Sequence, residues 1–126
     1  MKTNQPVYLN LFKIKLPLTG IVSLLHRVTG VVLVIAIPFV LYLLQRSLHN
    51  EIAFQTVVKF LDDPFLILFE VVLFAGLVYH LFAGIRFLLL DVELGLNKKS
   101  AKLSSWLVIT STVLSTLVFI ILRVIL

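Results

Sequence analysis

The sequence predicts an all-α membrane protein with three transmembrane helices, and three observations support this fold class. The chain has 126 residues, of which 60% are hydrophobic and only 13% charged, with a mean hydropathy of +1.13. A soluble domain of this size buries too little of its chain to hide so much apolar surface. The apolar residues form three runs, at about 21–48, 64–92 and 103–126. Each run exceeds the ~20 residues that a helix needs to cross a ~30 Å hydrocarbon core.

An N-terminal segment, residues 1–20, precedes the first apolar run. It is polar, contains Pro6 and Pro17, and shows no apolar stretch followed by a cleavage site. We therefore expect no cleaved signal peptide, a permanent first span and a single membrane-anchor domain over residues 1–126. Because proline fixes φ, the sequence LPLTG at 16–20 indicates a turn, after which the first helix begins.

The first span, residues 21–48, has a serine, a histidine and an arginine near its start. The stretch from Arg27 to Gln45 covers ~27 Å as a helix, which is close to the thickness of one bilayer core. His26 and Arg27 are therefore expected at one membrane boundary, with Ser23 slightly outside it. Pro38 lies in the middle of the span, where a proline kinks a helix or is accommodated by its neighbours.

The second span, residues 64–92, begins at an Asp-Asp-Pro sequence and contains His80. An acidic N-cap followed by proline at the first helical position is a typical helix start. Gly76 and Gly84 lie one helical turn to either side of His80 and share its stripe of the helix. Glycine at these positions allows a neighbouring helix, or a flat bulky ligand, to approach the backbone closely.

The third span, residues 103–126, is uncharged until Arg123. Its small hydroxyl side chains are typical of a helix that packs against other helices; they are Thr110, Ser111, Thr112, Ser115 and Thr116. Basic residues are concentrated before the first span and between the second and third spans. The positive-inside rule therefore places the N-terminus and the second loop inside, and the first loop and C-terminus outside.

Composition also excludes several classes of function. The chain has no cysteine, which excludes disulfides, iron–sulfur ligation and thiolate chemistry on this chain. The net charge of +5 is too small and too dispersed to indicate nucleic-acid binding. No hydrolytic triad, phosphate-binding loop, zinc-ligand spacing or pair of carboxylates is found in the sequence. The remaining chemistry must come from a few ionisable groups within the apolar runs.

His80 is the ionisable group that lies deepest in the predicted membrane, ~16 Å along the helix from Asp91. Such groups are costly in a bilayer and by default indicate function. A packing histidine, a proton relay and a metal ligand all remain possible. The flanking glycines, with Arg86 nearer the boundary, favour a haem that stands along the membrane normal. Arg86 lies about 120° around the helix from His80, so it can equally pair with Asp91 or reach the lipid head groups.

Ser23 and Arg27 form a second group on the first span, four residues apart and on one face. A hydroxyl and a guanidinium at the membrane boundary can hydrogen-bond the carbonyl oxygen of a quinone. The alternative is a serine cap beside an arginine that reaches the head groups. His26 lies next to this face, where it can meet a haem propionate or stay solvated. Glu70 and His49 are interpreted as interfacial residues.

Because only one histidine lies deep in the membrane, a haem with two histidine ligands needs a second chain. The chain is therefore expected to be part of a helical bundle built from several subunits.

Two stretches resemble signatures of a known family, the cytochrome b556 membrane-anchor subunits of succinate dehydrogenase. They are SLLHRVTG at 23–30 and HLFAGIRFLLLD at 80–91, and PVYLNL at 6–11 also resembles the N-terminal part of that family. The resemblance extends over the whole chain, in length, in number of spans and in the span that holds each motif.

The resemblance implies roles for individual residues. His80 matches an axial ligand of haem b, whose other ligand belongs to a second small anchor subunit. Ser23 and Arg27 match residues of the ubiquinone site, which the iron–sulfur subunit and the second anchor complete. His26 and Arg27, and with less support Arg86, match positions near the haem propionates. Some members carry a histidine where this chain has Phe87, so any propionate contact from that position is lost here.

The implied activity is that of a succinate:quinone oxidoreductase subunit with no residue for succinate oxidation on this chain. A flavoprotein and an iron–sulfur subunit would bind to it at the bacterial cytoplasmic membrane, which the resemblance favours over the mitochondrial inner membrane. Three alternatives stay open. They are the anchor of a fumarate reductase, a haem b subunit of another respiratory complex, and a haem-free structural membrane protein.

Overall fold

The computed structural model describes residues 16–125, which form four helices joined by short turns. Their bounds are Leu18–Ser47 for α1, Glu51–Leu61 for α2, Pro64–Asp91 for α3 and Lys98–Ile125 for α4. The helices α1, α3 and α4 are each long and apolar enough to cross a membrane. The all-α fold with three candidate membrane spans is thus confirmed. The PVYLNL stretch lies outside the described residues.

The starts of α1 and α3 are set by the residue that precedes each helix and accepts hydrogen bonds from its first turn. Pro17 is the extended N-cap of α1, and its carbonyl oxygen accepts from the N–H groups of Gly20 and Ile21. α1 therefore starts before its apolar run, and it continues without a break through Pro38. The expected start of α3 is confirmed, because the Asp63 carboxylate accepts from the Phe65 N–H at 2.9 Å.

α4 starts five residues before its apolar run, at Lys98. The Asn97 side chain accepts from the Ser100 N–H at 2.8 Å and so satisfies one free donor of the first turn. The connection from α3 uses two left-handed residues, Glu93 with φ 62° and Gly95 with φ 80°. Lys98 and Lys99, read from the sequence as loop charges, thus belong to the helix.

α2 was not predicted, because eleven residues are too few to form a span and the segment was interpreted as a loop. Asn50 caps it by accepting from the Ala53 N–H at 2.8 Å. Its apolar side chains recur at three- and four-residue spacing, which is the pattern of an amphipathic helix. Phe54, Val57 and Leu61 line a 360 Å³ cavity together with residues of α1 and α3.

α3 packs against both other long helices and runs antiparallel to each. The Tyr79 hydroxyl donates to the Val22 carbonyl oxygen of α1 at 3.0 Å, and the rings of Phe74 and Phe119 stack with centroids 4.2 Å apart. A small core joins the three helices, and its buried members are Val22, Tyr79, Ala83 and Val108. We call the side with the starts of α1 and α4 the Lys98 end, and the opposite side the Arg123 end.

Most large apolar side chains face outwards. Ile35 is 71% exposed and Leu114 is 63% exposed, values that a soluble core would not tolerate in such numbers. In a bilayer these faces contact lipid tails or the helices of other chains, and neither contact carries the cost that water imposes. The outer faces of the helices therefore agree with a membrane protein.

Ion pairs join the helices at the Arg123 end. Arg123 donates from Nη2 to Asp62 at 2.8 Å and from Nε to Glu70 at 3.2 Å. Its Nη2 also donates to the Leu61 carbonyl oxygen at 3.2 Å. Arg123 and Glu70, treated from the sequence as a flanking charge and an interfacial acid, thus pair with each other across α3 and α4.

Candidate functional site

His80 lies close to the middle of α3. The helix has 28 residues, so it is ~42 Å long, and His80 is ~4 Å from its centre. If α3 crosses the membrane symmetrically, the imidazole lies near the bilayer midplane. The side chain faces α1, where it meets three residues of the SLLHRVTG stretch.

The contacts of the His80 ring determine its tautomer. Nδ1 lies 3.1 Å from the His26 carbonyl oxygen and 3.3 Å from Thr29 Oγ1. A carbonyl oxygen only accepts hydrogen bonds, so Nδ1 must carry the proton. The unprotonated nitrogen is then Nε2, for which no hydrogen bond is found within residues 16–125. The ring thus presents the nitrogen lone pair that a metal ligand needs.

Thr29 supports this arrangement from α1. Its hydroxyl lies 2.9 Å from the Leu25 carbonyl oxygen and 3.0 Å from that of His26. Since the single hydroxyl proton is donated to these carbonyls, the lone pairs of Oγ1 remain to accept from Nδ1. Thr29 was missed as a site residue, because it is 51 positions from His80 and one sequence does not reveal that pairing.

His26 stacks on His80 and is half-buried. The two ring centroids are 4.1 Å apart and the planes differ by 9°. Phe87 packs against His26 with the ring centroids 5.2 Å apart. Phe87 occupies the position where some members of the family are expected to have histidine, and its ring contacts His26.

The glycines near His80 permit close packing of α1 and α3. A Cβ atom on Gly30 would lie 3.0 Å from His80 Cε1, and one on Gly84 would lie 3.4 Å from His26 Nε2. Gly76 faces Thr29 at 3.9 Å. The sequence allowed either a neighbouring helix or a flat ligand beside Gly76 and Gly84, and in the structure α1 lies next to both glycines. Gly30 has the tightest contact, and it is required because the His80 ring lies against the α1 backbone.

Ser23 and Arg27 lie within α1, on either side of His26 in the sequence. Ser23 is half-buried and Arg27 is exposed. The interpretation of Ser23 as a helix cap is wrong, because α1 starts at Leu18 with Pro17 as its cap. No hydrogen bond or ion pair of Arg27 with another side chain is found in the described part of the chain. The Arg27 guanidinium is therefore available to a ligand or another subunit.

Arg86 faces α4 and is only 6% exposed. Its Nε donates to Ser104 Oγ at 3.0 Å, and its Nη2 donates weakly to the Ala101 carbonyl oxygen at 3.4 Å. The expected pair with Asp91 is wrong, because both salt bridges within residues 16–125 belong to Arg123. The 120° between His80 and Arg86 explains this result, because one residue faces α1 and the other faces α4.

The described residues do not form a complete metal site by themselves. Among the described residues no group of three or more His, Cys, Asp or Glu side chains can hold a metal ion. His26 does not complete a histidine pair, since its ring lies flat on that of His80. His49 is in the turn after α1, at the Arg123 end. Within residues 16–125, His80 therefore has no second histidine positioned to bind the same metal ion.

Residues 1–119 match the protein family described as the succinate dehydrogenase/fumarate reductase transmembrane subunit. The chain is 30% identical over 109 residues to a succinate dehydrogenase cytochrome b556 subunit of Coxiella burnetii. The aligned residues cover 86% of this chain and 87% of that protein. It is 31% identical over 123 residues to a cytochrome b560 subunit of Reclinomonas americana, with coverages of 94% and 85%. A cytochrome b556 subunit of Rickettsia felis is 27% identical over 124 residues, with coverages of 92% and 95%.

Proposed function

Because the chain belongs to the family of succinate dehydrogenase and fumarate reductase transmembrane subunits, we propose that it is the haem b anchor of a succinate dehydrogenase. In this role it holds the flavoprotein and iron–sulfur subunits at the membrane and forms part of the site where ubiquinone is reduced. The observation that carries the proposal is the oriented imidazole of His80, with Nδ1 bound to the His26 carbonyl oxygen and Nε2 left for iron.

The residues around His80 fit a haem. A ligating histidine normally donates its other ring N–H to a carbonyl or carboxylate, which fixes the ring and strengthens the ligand. His80 already has this contact, and at its depth it would hold a haem iron within the hydrocarbon core. When bound, haem b supplies a one-electron carrier. The second axial ligand comes from the second small anchor subunit, because the stacked rings of His26 and His80 present faces and not nitrogens to each other.

Haem propionates would be held near the Lys98 end by His26 and Arg27. Arg27 is an exposed cation one residue from His26, and charge-assisted hydrogen bonds from guanidinium to carboxylate are among the strongest in proteins. Arg86 is left out of this group, because it hydrogen-bonds to Ser104 on the α4 side. The propionates thus depend on α1 and on residues of the partner subunits.

Ser23 and Arg27 form this chain's part of the quinone site. The Arg27 guanidinium donates to a quinone carbonyl oxygen and stabilises the negative charge that develops there on reduction. The Ser23 hydroxyl donates a second hydrogen bond or passes a proton to the same oxygen. Residues of the iron–sulfur subunit and the second anchor complete the pocket.

The Lys98 end faces the cytoplasm in this proposal. Lys98, Lys99 and Lys102 are exposed there, and cytoplasmic flanks of membrane helices are enriched in lysine and arginine. The peripheral subunits dock on the same side, next to Ser23 and Arg27. The membrane is the bacterial cytoplasmic membrane.

The optical spectrum of the purified complex tests the haem assignment. His80→Ala removes the axial nitrogen, so the haem b absorption should be lost or shifted from the low-spin form. His49→Ala is the matched control, since it removes a histidine in the turn after α1 and should leave the spectrum unchanged. A wild-type spectrum in His80→Ala would show that His80 does not bind the iron.

A further inference from the structure

Arg86 is a buried cation without a counterion on this chain. Its side chain is more than nine-tenths buried, its two hydrogen-bond partners are neutral, and its Nη1 has no hydrogen-bond partner among residues 16–125. A buried charge is costly unless it is paired. Both salt bridges within residues 16–125 belong to Arg123.

No acidic side chain of this sequence is placed to neutralise Arg86. The sequence contains six acidic residues, and each lies in the described part: Glu51, Asp62, Asp63, Glu70, Asp91 and Glu93. The first four are at the Arg123 end, and neither Asp91 nor Glu93 forms a salt bridge with Arg86. Residues 1–15 contain no Asp or Glu. A counterion for Arg86 would therefore have to come from outside the chain.

An apolar groove opens beside Arg86, between α3 and α4. It has a volume of 350 Å³ and is lined mainly by Phe82, Ile85, Leu89 and Leu107, with Ser100 and Ser104 as polar members. Volumes of this order hold small ligands or part of a larger one. A ligand for this groove must be apolar over most of its length and anionic at the point where it meets Arg86.

The depth of Arg86 indicates the kind of molecule. α3 is ~42 Å long, so a ~30 Å core leaves ~6 Å of helix beyond the hydrocarbon on each side. Arg86 is five residues from Asp91, or ~7.5 Å along the helix. The guanidinium is thus at the hydrocarbon boundary, within reach of lipid phosphates. The exposed lysines at the start of α4, Lys98, Lys99 and Lys102, attract anionic head groups to the same surface.

We propose that the groove between α3 and α4 binds one anionic phospholipid, whose phosphate pairs with Arg86 and whose acyl chain lies along Ile85, Leu89 and Leu107. The guanidinium turns towards the groove and replaces its weak contact with the Ala101 carbonyl oxygen by a charge-assisted hydrogen bond. The site is separate from the haem and quinone residues, which lie on the α1 side. The proposal does not rest on the function proposed above.

Native mass spectrometry of the delipidated complex, with added phosphatidylglycerol or phosphatidylcholine, tests the site. The wild type should retain one phosphatidylglycerol in preference to phosphatidylcholine. Arg86→Gln should weaken that binding about tenfold, the size expected for one charge-assisted hydrogen bond, whereas Arg86→Lys should retain most of it. Arg46→Gln is the matched control, because it removes an exposed arginine at the Arg123 end, away from the groove.

A second variant tests the apolar part of the site. Leu107→Trp fills the groove without changing Arg86, so it should also displace the lipid, and it decides the question alone if Arg86→Gln does not assemble. Equal retention of both lipids, displacement by inorganic phosphate alone, or normal phosphatidylglycerol binding by the filled variant would overturn the proposal. The proposal would also be overturned if the Arg86→Gln complex kept its lipid but lost its haem spectrum or its partner anchor subunit.

Discussion

At the scale of single residues, the site is built from contacts that the α1 backbone makes with one imidazole. The carbonyl oxygen of His26 fixes the tautomer of His80, and the missing side chain at Gly30 leaves room for the ring. Thr29 adds a third contact. These residues follow Ser23 in one continuous stretch, so the same two turns of α1 serve both the haem and the quinone proposals.

Gly30→Ala should disturb the haem site without affecting the membrane spans. The added Cβ would lie 3.0 Å from His80 Cε1, so the ring or the helix must shift, and we expect a lower haem content and a shifted absorption maximum. Gly20→Ala is the matched control, since its added Cβ meets Pro17 at an ordinary 3.5 Å. Unchanged spectra in both variants would contradict the close approach of His80 to α1.

Ser23 and Arg27 should affect quinone reduction and leave succinate oxidation intact. Arg27→Ala removes the charge that stabilises the reduced oxygen, so quinone reduction should fall about a hundredfold, and Ser23→Ala should cause a smaller loss. Activity with an artificial electron acceptor should stay near wild type. Arg46→Ala serves as the control at the other end of α1, and parallel loss of both activities would argue against the quinone role.

At the scale of helices, α3 connects two different environments. One face meets α1 through His80 and Tyr79, and another meets α4 through Arg86 and Phe74. The Arg123 end is held by ion pairs between α4 and the start of α3. Glu70 is the deepest acid in this group, and it is only partly exposed.

Arg123→Gln should destabilise the bundle, because it leaves the partly buried Glu70 without a partner. We expect a loss of stability, measured as a lower midpoint of thermal unfolding in detergent. The double variant Arg123→Gln with Glu70→Gln should recover part of this loss, since the unpaired charge is removed. Arg46→Gln, which removes an exposed arginine near the end of α1, should change little. A double variant that is no more stable than Arg123→Gln would refute this explanation.

At the scale of the whole molecule, the number and order of the spans followed from the sequence because long apolar runs are local signals. The start of α3 at Asp63 and Pro64 was equally local. The pairing of Arg86 with Ser104 is not a local signal, since it depends on which face of α3 meets α4. The pairing of Thr29 with His80 depends in the same way on how α1 and α3 come together. Tertiary contacts between distant helices are the part that one sequence leaves open.

The orientation of the molecule can be measured directly, because the chain has no cysteine and a single one can be added. Leu48 and Leu96 are both well exposed, in turns at opposite ends of the bundle. Leu48→Cys should react with a membrane-impermeant maleimide in intact spheroplasts. Leu96→Cys should react only after the membrane is opened. The reverse pattern would place the Lys98 end outside and would contradict docking on that side.

The outward-facing leucines and isoleucines of the three spans also bear on the order of assembly. A soluble subunit with so much apolar surface would aggregate before it met its partners. In a bilayer the same surface is already solvated by lipid tails, so this chain can persist alone. Within it the His80 ring is already held against His26. In the function proposed above, this chain can therefore enter the membrane first, and the other subunits can bind to it afterwards.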